Sequence, residues 1–168
     1  MNLKEEKPDK LAYHYLPPKL LSAVLTMSYL STAYTRANTN VYTIFNLFET
    51  VSNNCQNIRN VELLLIHLIL ELQRECSNNP EVITASIIDV CKFGAVKYEK
   101  MNWKESSIWS LWFDAAVRHT VEYVKGDKID EESNLPHLAH AVVNLGILYY
   151  MVDSDKGTND FKVTLDKC

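Results

Sequence analysis

Apolar positions recur with a helical period along most of this chain, and short polar breaks rich in Asn, Pro and Gly cut the pattern into segments. Residues 1–16 form a charged, Tyr-containing arm that ends in Leu16-Pro17-Pro18, a proline pair suited to the first turn of a helix. Leu20, Leu21, Val24, Leu25 and Met27 carry a first helical pattern to about Tyr34. After the break at Thr35–Asn40, with Thr39 or Asn40 as a cap, Val41, Ile44, Phe45, Phe48 and Val51 line a second helix. A third runs from about Ile58 to Cys76, opened by Asn57 or Asn60, with His67, Glu71, Arg74 and Glu75 on its expected solvated face. Glu62 falls among Leu65, Ile66 and Ile69, as a metal ligand or, more simply, as a first-turn acid favoured by the helix dipole.

Ser77-Asn78-Asn79-Pro80 stops one helix and starts the next, from about Glu81 to Tyr98, with Ile83, Ile87, Val90 and Gly94 in one line. Gly94 costs that helix about 1 kcal/mol relative to Ala, which close approach of a neighbour or ligand would justify. A fifth helix opens at Glu105 or Ser106, ends near Lys125-Gly126 and shows Trp109, Trp112, Phe113, Ala116, Val117 and Val124 on its apolar face. A sixth, His137 to Val152, is capped by Ser133 or Asn134 with Pro136 in its first turn. It is apolar nearly all round, the mark of a helix at the centre of a bundle or in a subunit interface. The tail from Asp153 is polar and expected to fray, with Phe161, Val163 and Leu165 as its apolar hooks. No stretch alternates convincingly as a strand. The expectation is an all-α, single-domain bundle of five or six helices spanning residues 1–168, without repeats or linkers.

Composition narrows the chemistry. The length of 168 residues favours one domain, and 47% hydrophobic with 23% charged residues excludes a disordered chain. A formal charge of -4 argues against a nucleic-acid backbone as the main partner, while a local cluster of cations still permits small anions. Cys55, Cys76, Cys91 and Cys168 have no zinc-site spacing. The start Met-Asn-Leu-Lys-Glu-Glu-Lys is unlike a signal peptide, and the apolar run Leu63–Leu70 is too short to cross a membrane, so a cytoplasmic setting is expected. Four scattered glycines cannot build a phosphate-cradling loop, so any phosphate must be met by side chains, helix ends or a metal. No His is followed by Asp, which removes the signature of HD-type phosphohydrolases.

Three blocks hold what chemistry there is. His137, His140 and Asn144 lie within about 60° of one another on the sixth helix, close in sequence to Asp130 and Glu132. Such inward groups need partners, because an unpaired buried polar group costs about 1–3 kcal/mol. They are either core histidines bonded to nearby carbonyls or part of a site. Asp114 and Arg118 have the spacing of a surface ion pair. His119 sits at the border of the apolar face, and Arg118 offers a planar fork that suits phosphate. Lys97, Tyr98, Asn102 and Trp103 provide a cation for phosphate, an aromatic for a base and an amide for its edge. A lysine at a helix end and a core tryptophan are the simpler explanations for two of them.

Taken in order, Gly94-Ala-x-Lys97-Tyr98…Asn102-Trp103, Asp114-Ala-Ala-x-Arg118-His119 and Asp130-x-Glu132-Ser…Leu135-Pro-His137-Leu-Ala-His140-Ala…Asn144 resemble the phage dATP/dGTP diphosphohydrolase domain. That family is grouped with all-α MazG-like nucleotide pyrophosphohydrolases. The resemblance covers about residues 90–150, with an echo at the Leu-Pro-Pro segment. It makes 17–30 and 81–152 the family-like core and 31–80 inserted helices. It implies a purine deoxynucleoside triphosphate ligand and Mg²⁺-assisted release of pyrophosphate. On that reading His119, His140 and Glu132 are catalytic, and Lys97, Tyr98, Asn102, Trp103, Arg118, His137 and Asn144 surround the nucleotide. Asp130 and Glu132 would hold Mg²⁺ through oxygen. The paired Glu-x-x-Glu and Glu-x-x-Asp helices of standard MazG enzymes are missing. A non-catalytic protein that sequesters a nucleotide signal is the competing expectation, since it needs cations and aromatics but no carboxylates. A homo-oligomer is expected from the lack of a polar face on the sixth helix.

Overall fold

The computed structural model describes residues 20, 41–76, 79–98 and 108–161. Among these residues five helices follow in order: α1 (Val41–Asn53), α2 (Ile58–Glu75), α3 (Pro80–Tyr98), α4 (Trp109–Val124) and α5 (His137–Ser154). The all-α expectation holds, with one addition: Ile129–Asp130 (β1) and Leu135–Pro136 (β2) pair antiparallel, Ile129 opposite Pro136 and Asp130 opposite Leu135. Two residues a side give no room for the alternation that identifies a strand in sequence. The helix expected after Pro17-Pro18, the break at 35–40 and the openings at Glu105 and Ser106 lie outside the described residues.

Local chemistry sets the boundaries. Asn57 caps α2, its side chain accepting from the Arg59 amide. Asn79 does the same for α3, accepting from the amides of Glu81 and Val82. Helix α4 lacks a side-chain cap from its own neighbourhood. Its first turn is closed instead by Asp160, which accepts from the Ser110 amide at 3.0 Å and from the Ser110 hydroxyl. Trp109 joins in, donating its indole N–H to the Lys156 carbonyl at 2.7 Å. The expected fraying from Asp153 therefore does not occur before Phe161, whose ring meets Phe113 edge-on, as Phe113 meets Phe48 of α1. Val163 and Leu165 lie outside the described residues.

Helix α5 is the centre. It packs on α4, α2 and α3, and twelve of its residues are buried, from His137 to Met151. Because the chain's own helices cover it, its all-round apolarity is satisfied within one copy. The fully buried Leu64, Leu68 and Leu72 of α2 and Ile83 and Ile87 of α3 complete the core. At Gly146 the Leu20 side chain presses on the helix: a Cβ there would lie 2.9 Å from Leu20 Cδ2. Gly94, expected to mark such an approach, faces open space instead, with no described atom within 4 Å of a Cβ. The face of α2 read as solvated is split. Arg74 is exposed, but Glu71 is 6% exposed, because Tyr123 of α4 closes over it and donates to Glu71 Oε1 at 3.0 Å. Glu62 is exposed, not on the apolar face, and because α2 starts at Ile58 it falls beyond the first turn, which holds no acid.

These two glycines give opposite expectations. Gly94→Ala should stabilise the fold by about 1 kcal/mol through helix propensity. Gly146→Val should destabilise it by about 1–3 kcal/mol through overpacking against Leu20. Urea denaturation of the two variants beside the parent measures both.

Candidate functional site

The hairpin β1–β2 is what brings carboxylate and hydroxyl groups to the head of α5. Its four-residue turn, 131–134, closes when the Asn134 amide donates to the Asp130 carbonyl at 2.8 Å, with Asn134 in the left-handed region at φ 59. The His137 amide donates to the Lys128 carbonyl at 2.9 Å, so α5 starts on the hairpin itself. Neither Ser133 nor Asn134, the two residues expected to cap α5, does so: the cap position is Pro136 and has no side-chain bond. Ser133 is instead drawn to Asp130. Its amide and its hydroxyl both donate to Asp130 Oδ2, at 2.9 and 2.7 Å.

Proton counting then fixes His140. Burial alone would raise the Asp130 carboxyl, but the two Ser133 hydrogen bonds and the nearby His140 and His119 rings hold it below its ordinary value. Asp130 is therefore ionised at neutral pH and can only accept. Ser133 Oγ lies 2.7 Å from His140 Nε2 as well as from Asp130. With its one proton given to Asp130, it must accept from His140 Nε2–H, which leaves the lone pair of a neutral His140 on Nδ1. A serine hydroxyl committed in this way is not poised as a nucleophile.

His119, projecting from α4, completes a group of three imidazoles. Its ring stacks on His140 with centroids 4.5 Å apart and planes 11° from parallel. Its Nδ1 lies 2.8 Å from Nδ1 of His137. Burial, reinforced by the neighbouring His140 and His137, pushes the His119 pKa down to about 4. The His140 pKa is lowered too, mainly by burial, with Asp130 pulling the other way. Both rings are thus neutral at pH 7. The far nitrogen of His137, Nε2, faces Asp127 Oδ2 at 3.7 Å.

Around this cluster the other expected residues divide. Lys97 reaches it: its ammonium pairs with Glu132 and lies over the Phe93 ring, which in turn meets His140 edge-on. Glu132, expected at the metal, is exposed and turned to Lys97. Arg118 is exposed beside His119, and no ion pair joins it to Asp114 among the described residues. Asn144 donates to the carbonyl of His140, one turn back on its own helix. Tyr98 ends α3, while Asn102 and Trp103, like the side chain of Tyr98, lie outside what is described. One His/Asp group with ligand-forming geometry is found among the described residues: His119, Asp130 and His137, with one donor atom from each within 4.8 Å of the others.

Phe93, Asp127 and Ser133 touch the cluster without having been assigned a role in it from the sequence. Ser133 three residues after Asp130 fits an Asx-type turn, a signal present in the sequence. Glu75 pairs with Lys128 at 3.0 Å and anchors the segment leading into β1, a link across more than 50 residues that no local pattern announces.

Residues 53–161 match the family model described as dATP/dGTP diphosphohydrolase, N-terminal. A protein of Salmonella phage PMBT28 described as "dATP/dGTP diphosphohydrolase" is 31% identical over 77 residues. The aligned stretch is 46% of this chain and 26% of that relative, so the chain matches about a quarter of the relative's length. No solved structure matches. No helix of the described residues is long and apolar enough to cross a membrane.

A pH dependence follows from His119. Its folded pKa of about 4 lies below the ordinary 6.5, so the unfolded chain binds a proton that the folded one refuses. The stability it contributes is complete above pH 6.5 and is lost as pH falls toward 4, with His140 acting in the same direction. Melting temperatures followed by circular dichroism in chelating buffer should fall across that window. His119→Gln should flatten the fall.

Proposed function

The chain belongs to the dATP/dGTP diphosphohydrolase N-terminal family, and from that membership we propose that it hydrolyses purine deoxynucleoside triphosphates between the α- and β-phosphates, releasing monophosphate and pyrophosphate. The observation that carries this reading is that the matched stretch, residues 53–161, contains the whole imidazole cluster together with its cationic rim. The purine preference is taken from the name of the Salmonella phage relative.

In this reading Lys97 meets the phosphates. Its pair with Glu132 is solvent-facing and worth at most about 1 kcal/mol, so a triphosphate competes for the ammonium on favourable terms. Arg118, exposed next to His119, adds a second cation. A water molecule donates a hydrogen bond to an imidazole lone pair of the cluster, which is available because His119 and His140 are neutral. The water oxygen bonds to the α-phosphorus, and the bond from that phosphorus to the bridging oxygen breaks. Pyrophosphate leaves with the electron pair, and the water's proton passes to the imidazole and then to solvent. Asp130 and Ser133 hold the His140 ring in the tautomer that keeps Nδ1 unprotonated.

Magnesium, the ion implied by the resemblance, selects oxygen ligands and keeps much of its own water. The clustered donor set has two nitrogens to one carboxylate, and Glu132 lies outside it. That set does not match magnesium's preference, and no step above is assigned to the ion.

Incubation with the four deoxynucleoside triphosphates, followed by separation of products, tests the reading. Purine monophosphate and pyrophosphate in equal amounts are expected; nucleotide recovered intact would overturn it. Lys97→Ala should lower kcat/KM by about 10²-fold. His140→Ala should cost about 10²–10⁴-fold in kcat.

A further inference from the structure

His119 and His137 approach each other through the same ring atom. Nδ1 of one lies 2.8 Å from Nδ1 of the other, and a donor atom of Asp130 lies within 4.8 Å of a donor atom on each ring. A proton shared between the two nitrogens would account for their distance but not for the groups behind them. Asp127 Oδ2 stands 3.7 Å from Nε2 of His137, the ring atom that faces away from the pair. Ser133 fixes Asp130 by two hydrogen bonds, and His140 stacks on His119 and fixes its plane. A carboxylate at the far nitrogen of an imidazole, with the near nitrogen facing a shared centre, is how metal-ligating histidines are oriented.

We propose that His119 and His137, each through Nδ1, and Asp130, through its carboxylate, form a binding site for a first-row transition-metal ion of the Mn²⁺, Fe²⁺, Co²⁺ or Zn²⁺ class rather than for magnesium. Imidazole nitrogen is a ligand these ions accept and magnesium avoids. Two nitrogens about 2.1 Å from one ion and at right angles to each other stand about 3 Å apart. The observed 2.8 Å therefore needs only a small opening of the ring pair. Two His and one carboxylate on one side of an ion leave its other positions open, where phosphate oxygens or water can enter. Asp127 acts here as a positioning residue, since it faces the ion only through His137. The site goes beyond the hydrolase reading and does not depend on it, because the ligands come together without nucleotide.

The test is a titration of the chelator-stripped full chain with Co²⁺, without nucleotide, read by visible absorbance and calorimetry. One equivalent should bind with ligand-field bands, and a hundredfold excess of Mg²⁺ should not displace it. Asp130→Asn and His119→Gln should each weaken binding about 100-fold, and Asp127→Asn about 10-fold. Circular dichroism shows whether each variant folds; if His119→Gln does not, the parent and Asp130→Asn decide. Absence of bands and heat in the parent would overturn the proposal. So would displacement by Mg²⁺, or binding unchanged in folded Asp130→Asn and His119→Gln. Binding without turnover of any nucleotide would leave the metal site standing and remove the hydrolase reading alone.

Discussion

A buried imidazole must find a hydrogen-bond partner, and helix α5 buries two of them. Twelve of its eighteen residues are out of water, His137 and His140 among them. Leaving either ring unpaired would cost about 1–3 kcal/mol, a large share of what holds a domain of this size together. The partners cannot come from α5, whose neighbouring side chains are almost all apolar. They come from α4, which contributes His119, and from the short hairpin, which contributes Ser133 and, behind it, Asp130. The polar cluster follows from driving a histidine-bearing helix through the middle of an apolar core.

The same burial sets the electrical state of the site. Imidazoles that would be partly charged near neutrality are held neutral inside, so the interior presents lone pairs rather than positive charge. Positive charge is kept at the rim, where Lys97 and Arg118 face solvent. In the proposed hydrolase reading, the charge of a phosphate ligand would be met at that rim, where water still screens it, and its reacting bond would lie next to groups that accept protons.

The helices could be read in the sequence because each is specified by residues three and four positions apart. Ile83, Ile87 and Val90 on α3, and Ile44, Phe48 and Val51 on α1, are buried as their period requires. The gathering of His119, His137 and His140 also follows from two helical faces turned to one core. What stayed hidden depends on distant pairs. Glu71 carries every local sign of a solvated acid, and only Tyr123, 52 residues away, makes it a buried one. Asp160 caps a helix that begins 51 residues before it, and Ser133 serves a side chain on the next helix rather than the start of that helix. The hairpin is too short for its alternation to register.

The order in which the pieces leave the ribosome has its own consequence. The helix that fills the centre is the last long one to be made, so α1 to α4 emerge with no α5 to cover the faces they will turn to it. Until residue 154 has cleared the exit tunnel, Leu64, Leu68, Leu72, Ile83 and Ile87 have only each other and solvent for company. The nascent chain thus passes through a sticky, partly collapsed stage, and its core can close only once α5 has arrived.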